Sequence, residues 1–197
     1  MRALCWLAGL SCLPLLAVTV AGEKSEVIVS VGDLSPQFEA IDELGNVFKS
    51  ADRVGKKIVV VYFYPADLTG ACTKQACGYR DRCEELAQSG AEIVGISGDS
   101  AANHALFRKV HALNFALLPD ENGKIAGTFG VPLRDGDSIS WSVEGEEKRL
   151  TRGVTAARWT FIIGLDGRIV HKNTSVDPAE DSRNVLEAVR QLAASTR

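Results

Sequence analysis

The sequence lacks the basic clusters typical of nucleic-acid-binding proteins and the internal repeats typical of repeat proteins. No cluster of lysine and arginine stands out along the 197 residues, and the formal net charge is −3. Nucleic acid and anionic membrane surfaces are therefore not expected as partners. No internal repeat or low-complexity tract is present, so the length and ordinary apolar content predict one domain with a proper core.

The chain also lacks a metal-binding pattern. Its three histidines are scattered, and beyond the N-terminal segment only Cys72, Cys77 and Cys83 remain of the five cysteines. The four and five residues that separate them fit neither a zinc site nor a plant-type iron–sulfur site. Three cysteines in one short stretch do not form a disulfide scaffold either. We expect no metal, haem or flavin, and interpret the cysteines as a working redox site.

The long apolar run that the chain does have lies at its N-terminus. Residues 3–20 carry no charge and follow Arg2, and the small residues at positions 19 and 21 have the spacing of a cleavage site. This pattern predicts a secretory signal peptide over residues 1–21, an exported or periplasmic protein, and a domain over residues 22–197. An uncleaved membrane anchor is the alternative, because the run approaches spanning length.

Residues 59–77 combine a buried strand with a cysteine at a helix start. The unbroken apolar run 59–64 is typical of a strand buried on both faces, and Pro65 ends it. A short loop then leads to Cys72, at the start of a helix that we expect to end near Gln88. Unpaired N–H groups and the helix dipole favour a thiolate at this position. The alternative is a pair of small buried residues, because free cysteine is often part of a core.

These residues carry a family resemblance. Pro65, Thr69 and Cys72 match the peroxiredoxin pattern Pro-x-x-x-Thr/Ser-x-x-Cys, and Cys77 resembles the resolving cysteine of the peroxiredoxin Q (bacterioferritin comigratory protein) subfamily. The similarity covers roughly residues 31–192. Gly70 is a departure, since the family usually has proline there, and glycine makes the loop less rigid.

The resemblance implies a thioredoxin-dependent peroxidase in which Cys72 attacks a hydroperoxide. Thr69 and the backbone N–H groups of the helix start would orient the peroxide, beside Pro65. The positive charge is assigned to Arg158, directly before a Trp-Thr-Phe-Ile-Ile segment that is similar to the family's "TFxID" strand. A surface salt bridge is the alternative role for this arginine.

The implied Cys72–Cys77 disulfide has a geometric consequence. Five residues along an intact helix rise about 7.5 Å, whereas bridged Cα atoms lie within about 7 Å of each other. We therefore predict that the helix start unwinds on oxidation, and that a thioredoxin-like dithiol reductant restores the thiols. Cys83 is interpreted as a structural thiol, and we expect a monomer or a weak homodimer.

Two other functions fit parts of the pattern. A thioredoxin-type thiol–disulfide oxidoreductase normally uses Cys-x-x-Cys, and here two more residues intervene. A copper-binding module would use Cys-x-x-x-Cys with a partner histidine, for which the chain has no clear candidate.

The alternation of strands and helices, followed by a hairpin and a closing helix, predicts a thioredoxin-like α/β fold with a central mixed sheet flanked by helices. Ser100 is predicted to cap a helix with an apolar face, and Asp177 with Pro178 to start the last helix. Residues 138–143 and 147–154 are predicted to pair as a hairpin, with 134–157 the least family-like segment. The apolar face of the capped helix is assigned to Leu106, Phe107, Val110 and Leu113.

Overall fold

The computed structural model describes residues 29–143 and 145–195. The predicted signal peptide lies outside this part of the chain. The strands are β1 (Glu39–Ile41), β2 (Val47–Lys49), β3 (Ile58–Phe63), β4 (Ala91–Ser97), β5 (Ala116–Pro119), β6 (Leu133–Asp135), β7 (Ser138–Val143), β8 (Glu146–Thr151), β9 (Val154–Ala156), β10 (Trp159–Ile163) and β11 (Ile169–Asn173). The helices are α1 (Gly70–Gln88), α2 (Ala101–His111), α3 (Lys124–Thr128) and α4 (Asp181–Ser195), with a 3-10 helix over Ser50–Arg53.

Five strands form the central sheet, in the order β11-β10-β3-β4-β5. Strands β3, β4 and β5 run parallel, whereas β10 is antiparallel to both β3 and β11. The sheet is therefore mixed and flanked by helices, as predicted. The apolar run predicted to be a buried strand is β3, at the centre of the sheet, with every side chain buried.

The side chains of β3 alternate between two hydrophobic clusters. Val60 and Tyr62 join the cluster formed with α1 and α4, whereas Val59, Val61 and Phe63 join the cluster on the opposite face. This alternation follows from the two-residue period of a strand. Both faces of β3 are therefore covered up to the residue at which the strand ends.

The predicted hairpin forms, but its second strand is shorter than predicted. Strand β8 pairs with β7 and ends at Thr151, and β9 starts separately and pairs with β6. Close backbone packing breaks the strand, since a Cβ on Gly153 would lie 2.0 Å from the carbonyl oxygen of Glu121. Half-buried Ile139 and Trp141 pack on the core, so the hairpin is anchored to the domain.

The structure confirms the cap of α2 and corrects part of its apolar face. The Ser100 hydroxyl accepts a hydrogen bond from the Asn103 N–H, and Phe107 is buried. Val110 was predicted to face the core, but it is 43% exposed. Leu113 is buried, but beyond the end of the helix, because Ala112 adopts a left-handed conformation that stops it.

The last helix starts later than predicted. Asp177 accepts a hydrogen bond from the Ala179 N–H, but residues 178–180 form a turn and α4 begins only at Asp181. The N–H of Glu180 bonds the Asp177 carbonyl, in the i to i+3 pattern of a tight turn. The delay places Asp181 in the first turn of α4, where it is buried.

None of the helices in residues 29–143 and 145–195 has the length and apolar character required to cross a membrane.

Candidate active site

The candidate nucleophile lies where the central strand meets the longest helix. Thr69 is the N-cap of α1, with φ −80° and ψ 147°, and Cys72 follows in the first helical turn. The Cys72 side chain is 2% exposed. The first N–H groups of a helix have no intrahelical partners and carry partial positive charge. Cys72 therefore lies at the end of α1 that carries this partial positive charge.

Arg158 contacts the sulfur directly. Its Nη2 lies 3.2 Å from Cys72 Sγ, and its Nη1 donates to Gln75 Oε1 at 2.5 Å. The sheet explains the approach, because β10 runs antiparallel to β3 and Trp159 pairs with Phe63. The residue before β10 therefore lies beside the end of β3, where the loop to Cys72 begins.

Thr69 and Pro65 lie in the same loop, but the structure does not bond Thr69 to the sulfur. The Thr69 hydroxyl donates its one proton to the Ala66 carbonyl, 3.0 Å away. Its lone pairs remain able to accept a hydrogen bond from a ligand. Pro65 is half-buried directly after β3, where it ends the strand as predicted.

All three cysteines of the described residues are free thiols on the continuous helix α1. Cys77 is half-buried, one helical turn and a half beyond Cys72. Cys83 is also half-buried, with its sulfur 3.9 Å from the Asn114 carbonyl. Burial raises the pKa of the Cys83 thiol. A thiol that holds its proton in this way is a poor nucleophile, so the environment of Cys83 favours a structural role.

Sequence reasoning missed a buried polar network under the loop. Asp67 accepts a hydrogen bond from the Tyr64 hydroxyl and pairs with His104 Nδ1, both at 2.7 Å, and its N–H donates to the Asp99 carboxylate. The side chains of Asp67 and His104 are completely buried. The neighbouring Leu68 has φ 58°, a conformation that only a well-supported loop maintains in leucine. The network supplies that support.

The network also changes the titration of its members. Burial raises the pKa of Asp67, and the facing His104 opposes this shift. Burial lowers the pKa of His104, but the carboxylates of Asp67 and Asp99 more than offset it, so the pKa is raised. The position of Asp67, in the loop between Pro65 and Cys72, was a signal in the sequence that its side chain could support this loop. The residues around His104 gave no signal that it pairs with Asp67.

A second missed network lies behind the arginine. The carboxylate of Asp181 accepts hydrogen bonds from the Gln75 amide, the Tyr79 hydroxyl and the Thr160 hydroxyl. Gln75 therefore bonds Arg158 on one side and Asp181 on the other. Its position three residues after Cys72 was a signal that both lie on one helix face. Asp181 had no such signal, because it is 106 residues from Gln75.

The described part of the chain contains no group of three or more histidine, cysteine, aspartate or glutamate side chains that could hold a metal ion.

Gly70, the departure from the family pattern, is expected to accept proline. It is the first residue of α1, a Cβ there would meet nothing within 4 Å, and Thr69 already has the extended conformation that precedes proline. The Gly70→Pro variant is expected to raise the free energy of unfolding by about 0.4–1 kcal/mol, because proline restricts the unfolded chain. Urea denaturation measures the change. As a control, Gly90→Pro is expected to destabilise, because Gly90 has φ 80°. A loss of stability in Gly70→Pro would contradict the assigned helix start.

The fold and site define a class of protein, the thioredoxin-like proteins with a cysteine at a helix start. The family model described as "AhpC/TSA family" matches residues 31–172, more than half of the chain, and the protein therefore belongs to that family.

The similar proteins include several that are named peroxiredoxins. The chain is 48% identical to "Putative peroxiredoxin Q, chloroplastic" of Oryza sativa subsp. indica over 104 residues, which cover 53% of this chain and 48% of the rice protein. It is 32% identical to "Peroxiredoxin Bcp" of Bacillus subtilis (strain 168) over 165 residues, which cover 84% and 98% of the two chains. The chain thus spans about half the length of the rice relative and nearly all of the bacterial one.

A solved structure supports the fold. The crystal structure of "Peroxidoxin BcpB" from Mycobacterium tuberculosis is similar with a TM-score of 0.68 and 29% identity, covering 83% of this chain and 98% of that one. The predicted thioredoxin-like fold and the resemblance to the peroxiredoxin Q and Bcp group are confirmed.

Proposed function

We propose that the protein is a thiol-dependent peroxidase that reduces hydrogen peroxide and organic hydroperoxides through Cys72. The observation that carries the proposal is the contact of Arg158 Nη2 with Cys72 Sγ, at 3.2 Å, in the first turn of α1. The guanidinium lies beside the attacking sulfur, where it stabilises the negative charge that develops on the departing oxygen. The names of the curated relatives agree with this activity.

The first step transfers one oxygen atom. The Cys72 thiolate attacks one oxygen of the peroxide, the sulfur–oxygen bond forms, and the O–O bond breaks. The other oxygen departs as hydroxide or alkoxide and takes up a proton to give water or an alcohol, which leaves Cys72 as a sulfenic acid. The free N–H groups of the helix start donate to the peroxide, and the Thr69 lone pairs accept from its O–H. Pro65, in the same loop, is the further residue that we assign to substrate binding.

The second step restores the enzyme. The Cys77 thiol attacks the Cys72 sulfur, the S–S bond forms, and the sulfenic oxygen leaves as water. Closure requires the first turns of α1 to unwind, because a rise of about 7.5 Å separates the two positions on an intact helix. A thioredoxin-like dithiol then reduces the disulfide by exchange and becomes oxidised in its place.

A coupled assay tests the function against its alternative. Hydrogen peroxide or tert-butyl hydroperoxide is added to the protein with thioredoxin, thioredoxin reductase and NADPH, and NADPH oxidation is followed. Peroxide-dependent oxidation is expected, with no reduction of insulin disulfides by the protein itself. Insulin reduction without peroxide consumption would instead support a thioredoxin-type oxidoreductase.

Replacing Cys77 is expected to separate the two steps. In Cys77→Ser, one equivalent of peroxide should convert Cys72 to a sulfenic acid at the wild-type rate, because Cys77 does not contact the reacting atoms. Turnover with thioredoxin should be lost, because no disulfide forms for exchange. Dimedone labelling with mass spectrometry detects the sulfenic acid, and NADPH oxidation measures turnover. Full turnover in this variant would show that another thiol resolves the intermediate.

We also propose that residues 1–21 are a secretory signal peptide that exports the protein, and that the domain is a monomer or a weak homodimer. The rice relative is named chloroplastic, so a plastid is the competing destination. Transit peptides are rich in arginine and serine. Residues 1–21 contain one arginine and one serine, and residues 3–20 form an uncharged, mostly apolar run. A reporter fused to residues 1–21 distinguishes the destinations, and sedimentation velocity measures the oligomeric state.

A further inference from the structure

Asp181 is a buried carboxylate at the junction of three elements. It begins α4 and is 2% exposed, and one of its oxygens, Oδ2, accepts three hydrogen bonds. The donors are Gln75 Nε2 at 2.7 Å, the Tyr79 hydroxyl at 2.6 Å and the Thr160 hydroxyl at 2.9 Å. Burying a carboxylate is unfavourable unless donors satisfy it, so these bonds hold α1 and β10 against α4.

The contact with Asp181 determines the orientation of the Gln75 amide. Because Nε2 faces the carboxylate, Oε1 faces Arg158 Nη1. The reversed amide would place its carbonyl oxygen against the carboxylate and its NH₂ against the guanidinium, and both contacts are unfavourable. Asp181 thus determines that Gln75 accepts from Arg158, whose other nitrogen contacts the Cys72 sulfur.

The same bonds oppose formation of the disulfide. Gln75 lies between Cys72 and Cys77, in the turn that must unwind for the two sulfurs to meet. Tyr79 bonds Asp181 from a position two residues after Cys77. Burial and the Asp181 carboxylate raise the pKa of Tyr79 well above its usual value, so the phenol keeps the proton that it donates. The two anchors lie on either side of Cys77, and unwinding must release at least the first of them.

We propose that Asp181 is a positioning residue that acts through Gln75 and Tyr79, favouring the attack of Cys72 on peroxide and opposing closure of the Cys72–Cys77 disulfide. The inference rests on the proposed function. Asp181 therefore sets how long the sulfenic acid survives, and with it the fraction that a second peroxide oxidises to sulfinic acid.

The test uses the full chain and the variant Asp181→Asn. Asparagine keeps the size and one acceptor oxygen, but its hydrogen bonds are no longer assisted by charge. Rapid quenching after mixing with hydrogen peroxide, followed by dimedone or alkylation and mass spectrometry, measures reduced, sulfenic, disulfide and sulfinic forms. Oxidation of Cys72 is expected to slow about tenfold, while closure of the disulfide accelerates about fivefold, as weakened charge-assisted bonds predict. The sulfinic fraction at high peroxide should fall.

Two further variants complete the test. Asp177→Asn makes the same chemical change at an exposed residue before α4 and should leave both rates unchanged. Tyr79→Phe removes one hydrogen bond but keeps the Asp181–Gln75–Arg158 connection. It should accelerate closure while slowing oxidation less than Asp181→Asn, and it tests closure even if Asp181→Asn fails to fold.

Because closure requires α1 to unwind, a variant that is destabilised throughout would also close faster, so urea denaturation is measured for each variant. Positioning is separated from a general loss of structure by Tyr79→Phe, which should accelerate closure while largely keeping the rate of oxidation, because the Asp181–Gln75–Arg158 connection remains. Two unchanged rates in Asp181→Asn, or two slower ones, would overturn the inference while leaving the peroxidase intact. If the wild-type protein forms no sulfenic acid at Cys72, the proposed function and this inference both fail.

Discussion

Serine in place of Cys72 is expected to reduce peroxide consumption to the level of the buffer. The hydroxyl replaces the sulfur that forms the bond to oxygen, and serine is not ionised beside the Arg158 guanidinium at neutral pH. No sulfenic acid or disulfide can then form at this position. Because serine is nearly the same size as cysteine, the variant should keep the packing of this buried position and remain folded. Peroxide loss measured in the presence of thioredoxin, its reductase and NADPH reports the effect, and circular dichroism confirms the fold.

Cys83→Ser is the matched control. The Cys83 sulfur lies 3.9 Å from the Asn114 carbonyl oxygen, and burial raises the pKa of this thiol. Peroxidase activity should therefore remain at the wild-type level. If activity survived in Cys72→Ser but disappeared in Cys83→Ser, Cys83 would be the nucleophile and the proposed site would be wrong.

Removal of the Arg158 guanidinium is expected to have the second largest effect. In Arg158→Ala, the second-order rate constant for oxidation of Cys72 should fall about 100-fold to 1000-fold, the range found when one donor to a developing oxyanion is removed. Arg158 contacts both Cys72 Sγ and Gln75 Oε1, so it holds its charge in place before the reaction begins. In Arg158→Lys the charge remains but the planar pair of contacts is lost, and only part of the rate should return.

The control for Arg158 is Arg168→Ala, at the opposite end of β10. Arg168 is half-exposed and donates to the Gly32 carbonyl at 2.8 Å, away from the thiol. Its loss should leave the rate constant unchanged. Stopped-flow oxidation with hydrogen peroxide measures both variants, and equal rates for Arg158→Ala and the wild type would exclude Arg158 from the reaction.

The strand and helix that carry Cys72 could be predicted because their signals are local. The apolar run of β3, the proline that ends it and the helical pattern of α1 follow one another directly along the chain. The motif placed Arg158 beside Cys72, and the structure shows the contact. Boundaries set by tertiary packing were less predictable, since the gap between β8 and β9 depends on how closely Gly153 approaches Glu121.

The two buried networks could not be predicted for a different reason. Asp67 meets His104 across 37 residues, and Asp181 meets Gln75 across 106. A carboxylate in a sequence is read as exposed by default, because charged side chains are rarely buried without partners. The partners become visible only when the chain is folded.

The sequence alone predicted the type of fold and the family, and it pointed to Cys72 as the candidate nucleophile, because each prediction depends on residues that are neighbours along the chain. Only the tertiary structure decided what surrounds the sulfur, because the antiparallel pairing of β10 with β3 and the packing of α4 on α1 bring distant groups together. The physical reason is that the Cys72 sulfur and the Arg158 guanidinium are held by contacts through space. The energies of these contacts depend on distance and burial and leave no periodic pattern in the sequence.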